Sequence, residues 1–172
     1  MEPKAHADER RRAGTGTSAL TGTISAPHAR IENMRLLVVD DDEGTRAVLR
    51  DALDLCGAAV CAVSSAAMAR RAIAQWRPTA FISDVDMPGE DGYALIRYVR
   101  RLPASEGGAL PAIAFTGYAS DESRMLDAGF DAVVAKPVAL DTLIRTIVHV
   151  VDCSRGLGAD ATGGEAEPAR DS

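Results

Sequence analysis

The chain reads as one doubly wound α/β domain, a parallel five-stranded sheet with helices on both faces. Three observations predict this. Short apolar runs alternate with segments of helical period, five times over. The runs are apolar nearly throughout, as strands are when both faces of a parallel sheet are covered. Four of them stop on a polar residue that a turn follows at once. Right-handed crossovers between such strands give a layered sandwich.

Composition sets the bounds. A chain of 172 residues with 47% hydrophobic content suits one compact body with tails. A net charge of −6 argues against general nucleic-acid affinity. Cys56, Cys61 and Cys153 are odd in number and lack metal spacing among themselves, so they are expected as reduced thiols of a cytoplasmic protein. No apolar run approaches a membrane span, and Arg10-Arg11-Arg12 has no apolar segment after it to make a signal peptide. Residues 1–33 and 153–172 are rich in Ala, Gly and charge, without period, and are expected as disordered tails around a folded core of 34–152. That core is itself acidic, and several of its acids fall in two clusters.

The elements follow in order. Leu36-Leu37-Val38-Val39 is the first strand and runs into Asp40-Asp41-Asp42. Gly44 to Cys56 has helical spacing, with Val48, Ala52 and Leu55 on one face and Leu49, Leu53 and Cys56 beside them; Gly57 can close it. Ala58 to Val63 is the second strand, and Ser64 or Ser65 can cap a helix to Trp76. Ala80-Phe81-Ile82-Ser83-Asp84 is the third strand, stopping on an acid before the turn Val85-Asp86-Met87-Pro88-Gly89. Gly92 to Leu102 places Leu95, Ile96, Val99 and Leu102 on one helical face. Ile113-Ala114-Phe115 is the fourth strand, ending at Thr116. A short helix from Asp121 to Ala128 is closed by Gly129. Ala132 to Ala135 is the fifth strand, ending at Lys136-Pro137. The last helix, Asp141 to Val151, turns Leu140, Leu143, Ile144, Ile147 and Val151 inward.

In a parallel sheet all strand ends share one edge, and open α/β sheets carry their ligand sites there. That edge gathers Asp40, Asp41, Asp84, Thr116 and Lys136. An Asp after a strand can also serve as a cap or an Asx turn, but two acidic ends, a hydroxyl and a lysine on four separate strands exceed what capping needs. Clustered carboxylates repel unless a cation intervenes. Hard oxygen ligands with open positions suit Mg²⁺ sharing a phosphate oxygen. Lys136 would act as a point charge on that phosphate, Thr116 would donate its hydroxyl, and a carboxylate can be the nucleophile that forms an acyl phosphate. The chain uses Arg almost everywhere; its two lysines are Lys4 and Lys136. A lone lysine between an apolar strand and a proline therefore stands out, and the proline holds it extended toward the edge.

These pieces resemble the receiver domain of two-component response regulators. The likeness runs from about Met34 to Val151 and rests on Leu37-Val38-Val39-Asp40-Asp41-Asp42, Ser83-Asp84-Val85-Asp86-Met87-Pro88-Gly89-Glu90-Asp91-Gly92, Ile113-Ala114-Phe115-Thr116-Gly117, and Ala128-Gly129-Phe130-Asp131 leading to Ala135-Lys136-Pro137. In style, Phe115-Thr116-Gly117-Tyr118-Ala119 and Gly129-Phe130-Asp131 are most similar to receivers of hybrid histidine kinases. The resemblance implies a flavodoxin-like (βα)5 fold and makes Asp84 the phosphoacceptor. It implies that Asp41 ligates Mg²⁺ beside Asp40, with the backbone carbonyl of Asp86, and that Thr116 and Lys136 hold the phosphoryl group. It further implies a cis bond at Lys136-Pro137, and a histidine kinase or phosphotransfer protein as donor. Two features depart from the family. Val133 stands where a switch aromatic is usual, three residues before the lysine, and the stretch from Thr116 to Gly129 is short by roughly half a helical turn.

The tails show no helix-turn-helix or enzymatic module, so the chain resembles a single-domain regulator that acts on an unknown output protein by docking or phosphorelay, rather than an enzyme, a nucleic-acid binder or a membrane protein. Two other classes are open to the same residues. One is a pseudo-receiver that binds partners without phosphate. The other is a phosphohydrolase of the haloacid-dehalogenase type, suggested by Asp84-Val85-Asp86. Met34 directly precedes the first strand, as initiators of similar receivers often do. Residues 1–33 are then either an over-long reading of the gene or a real arm. On either view a chain beginning at Met34 is expected to melt like the full one.

Overall fold

The computed structural model describes residues 30–117 and 121–159, the side chains of 157–159 excepted. Ten elements alternate: β1 (Arg35–Val39), α1 (Glu43–Leu55), β2 (Ala59–Val63), α2 (Ala66–Trp76), β3 (Ala80–Asp84), α3 (Gly92–Arg100), β4 (Ala112–Thr116), α4 (Glu122–Ala128), β5 (Ala132–Ala135) and α5 (Leu140–Ala159), with one 3-10 turn at Ala104–Glu106. The strands form a single sheet in the order β2-β1-β3-β4-β5, and every pairing is parallel. This is the doubly wound sheet expected from the residues, in the flavodoxin-like form that the resemblance implied.

Successive strand side chains point to opposite faces, and the core divides accordingly. Leu36, Val38, Ile82 and Ile113 face α1 and α5, against Leu49, Leu53, Leu143, Ile144 and Ile147. Leu37, Val39, Phe81 and Ala114 face α2, α3 and α4, against Ala69, Ile73, Leu95, Ile96 and Met125. β3 lies at the centre of the sheet and is buried at all five positions. Asp84, its last residue, therefore sits on a fully buried central strand.

The helix starts are chemically defined. Thr45 N–H donates to Asp42 Oδ1 (2.6 Å), Met68 N–H to Ser65 Oγ (3.4 Å) and Ala94 N–H to Asp91 Oδ1 (2.7 Å), each satisfying an amide of the first turn. Gly92 is required by close approach: a Cβ there would lie 2.5 Å from the carbonyl oxygen of Asp84. The first turn of α3 is thus pressed onto the backbone of the site.

The structure selects one of two helix faces and moves two boundaries. On α1, Leu49 and Leu53 face the sheet, whereas Val48 and Leu55 are 68% and 86% exposed. The two apolar stripes are about 100° apart on the helix and only one can meet the sheet. The ordered body begins before residue 34, because Ile31 is fully buried among the α1 and α5 contacts. Asn33 N–H donates to Gly57 O (2.9 Å) and the Arg30 guanidinium pairs with Asp152. At the other end α5 runs to Ala159, past the boundary set at 152 and through Gly156. Extending a formed helix fixes one residue per hydrogen bond, so it tolerates a weak former. The remainder of the two expected tails, and Tyr118 and Ala119, lie outside the described residues.

Candidate functional site: an acidic strand edge bridged by one lysine

β1, β3, β4 and β5 deliver Asp40, Asp84, Thr116 and Lys136 to one edge of the sheet. Asp40 directly follows β1 and is 1% exposed. Its Oδ1 accepts from the Asp42 N–H (2.9 Å) and its Oδ2 from Lys136 Nζ (2.7 Å). Asp84 is 8% exposed. Its Oδ2 accepts from the same Nζ (2.8 Å) and its Oδ1 from the Asp86 N–H (3.2 Å). Lys136 thus bridges the two carboxylates. Its own N–H is anchored to Thr116 O (2.7 Å), and its ammonium lies 4.9 Å from the centre of the Phe115 ring. The Lys136-Pro137 bond is cis, as the resemblance implied.

Electrostatics follow from burial and pairing. Burial pushes the Asp40 carboxyl above the ordinary 3.8, against the opposing pull of the Lys136 hydrogen bond and the Asp42 amide. Burial would lower Lys136, but its hydrogen bonds to Asp40 and Asp84 outweigh this and raise it above 10.5, so it is a fixed cation at neutral pH. Carboxylate oxygens of Asp40, Asp41 and Asp84 all lie within 4.8 Å of one another, with Asp41 exposed at the mouth. Three acids and one ammonium leave the cluster under-neutralised. All the donors are hard oxygens, so the residues fit Mg²⁺.

Thr116 is fully buried, and its hydroxyl donates to Asp86 Oδ2 (3.4 Å). Sequence reasoning assigned Asp86 only its backbone carbonyl; the side chain also belongs to the edge. Val133, at the switch position, is half-buried on the α2, α3 and α4 side of the sheet, packed against its core. The short helix after Thr116 is α4, seven residues long, capped by Gly129 at φ 119°.

Two arginines were missed. Arg46, in the first turns of α1, donates through Nη1 to the carbonyls of Asp40 (2.7 Å) and Asp41 (2.9 Å), fixing the backbone of the acid pair. Arg100, at the end of α3, donates to the carbonyls of Gly129 (2.8 Å), Gly108 (3.1 Å) and Leu110 (2.7 Å) and to Asp131 Oδ2 (2.7 Å). Neither contact is periodic; the one available hint was a basic residue near a helix N-terminus, where the dipole disfavours it.

An acidic cluster crossed by a lysine, at the carboxyl edge of a doubly wound sheet, has donors that fit a cation together with an anionic group such as phosphate. Residues 36–148 match the response regulator receiver domain, and the chain belongs to that family. It is 43% identical over 119 residues to an uncharacterized 14.6 kDa protein of Leptolyngbya boryana, covering 68% of this chain and 89% of that one. It is 32% identical over 136 residues to the sensory/regulatory protein RpfC of Xanthomonas campestris pv. campestris, covering 78% of this chain but 19% of RpfC. Among solved structures it is similar to the receiver domain of sensor histidine kinase PA1611 from Pseudomonas aeruginosa PAO1, at 28% identity and a TM-score of 0.64, covering 70% of this chain and 98% of that one. That structure holds a magnesium ion coordinated in the active site cleft. The likeness to receivers of sensor kinases agrees with the expectation from Phe115-Thr116-Gly117. Asp84 ends the third strand of a receiver and Val85-Asp86 follows it, so the family assignment stands against the haloacid-dehalogenase reading. Among the described residues, no helix is long and apolar enough to cross a membrane.

Proposed function

We propose that Asp84 accepts a phosphoryl group from a histidine kinase or phosphotransfer protein, and that the acyl phosphate so formed changes the affinity of the domain for an output partner. The observation that carries this reading is the bridge from Lys136 Nζ to Asp40 and Asp84 at 2.7 and 2.8 Å, made across three separate strand ends. An Asp84 carboxylate oxygen attacks phosphorus, the bond from phosphorus to the donor nitrogen breaks, and that nitrogen keeps the electron pair. Lys136 then follows the charge, moving from the Asp84 carboxylate to a phosphoryl oxygen as a compact ammonium. The Thr116 hydroxyl, now on Asp86, turns to a second phosphoryl oxygen. Arg46 holds the Asp40 and Asp41 backbone while this happens. Mg²⁺ held by Asp40, Asp41, Asp84 and the Asp86 carbonyl would neutralise charge on the transferred group. The magnesium of the PA1611 receiver supports this assignment.

Intact-mass measurement after incubation with acetyl phosphate tests the reading. One phosphoryl group is expected with Mg²⁺, and none with chelator or in Asp84→Asn. An unchanged mass with Mg²⁺ would favour the pseudo-receiver instead.

A further inference from the structure

A cavity of about 470 Å³ lies between α2, α3 and the 3-10 turn, within the size range of small-molecule sites. Ile73, Ala74, Leu102 and Leu110 give it apolar walls, and the exposed ring of Tyr98 borders it. The turn is pressed onto α2: a Cβ at Gly107 would lie 2.9 Å from Ile73 Cγ2. Arg70 and Arg77 bring two guanidiniums to the lining, against the one carboxylate of Glu106. The Arg70 guanidinium lies over the Tyr98 ring, 4.3 Å from its centre. Its Nη2 donates to Glu90 Oε1, in the loop between β3 and α3. Nη2 and Nε form the edge of a guanidinium that takes a carboxylate through two parallel bonds. Here that edge is half used. Arg70 Nε is buried and makes no hydrogen bond, the one such side-chain nitrogen or oxygen among the described residues. A buried N–H left unpaired is costly, so a carboxylate that met both nitrogens would hold Arg70 better than Glu90 does.

We propose that this cavity binds a small aromatic carboxylate. Its two oxygens take Arg70 Nη2 and Nε in place of Glu90. Its ring packs against Tyr98 and the apolar wall, as an amphipathic ligand does in a pocket with a few placed polar groups. Arg77 adds a second positive charge at the lining. The exchange is non-covalent: one carboxylate leaves the guanidinium and another arrives. The site goes beyond the phosphoacceptor reading of Asp84 and does not rest on it.

Titration of the full chain with 2-naphthoate, followed by backbone amide NMR shifts, tests the site. Neutral 2-naphthamide is the control, and no phosphoryl donor is present, so the result is independent of phosphorylation. Saturable shifts are expected at Ile73, Ala74, Tyr98 and Glu90, with a dissociation constant of about 1 mM or tighter for a ligand of this size. The amide should bind about tenfold more weakly or worse, for want of a charged acceptor. Arg70→Gln should weaken naphthoate binding about tenfold or more. Glu90→Gln removes the competing carboxylate and should tighten it about two- to fivefold, the worth of a partly exposed ion pair. Leu55→Ser, on the exposed apolar stripe of α1, should leave it unchanged. No saturation by about 10 mM, equal affinity for the amide, undiminished affinity in Arg70→Gln, no tightening in Glu90→Gln, or loss of binding in Leu55→Ser would each overturn the proposal.

Discussion

Ile31→Ala is expected to destabilise the domain strongly, although residue 31 precedes the first strand. Ile31 is fully buried against the α1 and α5 face of the core. Truncating a buried isoleucine to alanine costs about 2–5 kcal/mol, the transfer of the lost carbons plus the cavity they leave. Starting the chain at Met34 removes the same side chain, the Asn33 amide bonded to Gly57 and the Arg30–Asp152 pair. The amide bond adds about 0.5–1.5 kcal/mol. The ion pair adds little, because its side chains are 57% and 44% exposed. For a domain of this size each kcal/mol moves Tm by about 3–5 °C. A loss of about 2 kcal/mol, at the low end, therefore lowers Tm by about 6–10 °C. Urea and thermal unfolding, followed by circular dichroism on the full chain, Ile31→Ala and a chain from Met34, measure this. Leu55→Ala is the control; at 86% exposure it should change stability by no more than about 0.5 kcal/mol. A chain from Met34 that unfolds within about 0.5 kcal/mol of the full one would refute the reasoning.

Other outcomes follow from the site. Lys136→Arg should still accept phosphate but bind its output partner more weakly once phosphorylated, because a planar guanidinium cannot follow one phosphoryl oxygen as an ammonium does; partner titration before and after phosphorylation reads this. Gly92→Ala should cost about 1–3 kcal/mol by overpacking against the Asp84 carbonyl, and should slow phosphorylation in the folded fraction. Mg²⁺ affinity should begin to fall above the ordinary aspartate pKa of 3.8, because burial holds the Asp40 carboxyl higher and protons compete with the metal. The sign for metal-free stability is opposite. The folded carboxyl takes up its proton at higher pH than the unfolded one, so this contribution grows as pH falls through the raised pKa and is complete below 3.8. Unfolding of metal-free protein and of Asp40→Asn across that range separates the two effects.

What was legible in the sequence was whatever one strand or one helix decides. Val39, Asp84, Thr116 and Ala135 each close an apolar run, and parallel pairing alone brings the residues at those ends together. What was not legible depends on how elements meet. Val48 and Leu49 begin equally apolar stripes, and the docking angle of α1 on the sheet selects the second. Ile31 stands between Arg30 and Glu32-Asn33, outside any periodic apolar run, so its burial is set by tertiary packing. That Lys136 spans Asp40 and Asp84, and that the Thr116 hydroxyl meets Asp86, are matters of side-chain torsion across four strands. Apart from the Arg100–Asp131 pair, Arg46 and Arg100 bond to carbonyl oxygens, which every residue possesses, so those partners leave no trace in residue type.

The central claim is that Asp84, among the acids of this edge, is the residue that carries phosphate. An acyl phosphate is reduced by borohydride to the corresponding alcohol, so a phosphorylated aspartate becomes homoserine. Phosphorylation with acetyl phosphate and Mg²⁺, borohydride reduction and peptide sequencing by mass spectrometry should place homoserine at position 84 alone. Homoserine at 40, 41 or 86, or none in protein that has gained a phosphoryl group, would contradict the account.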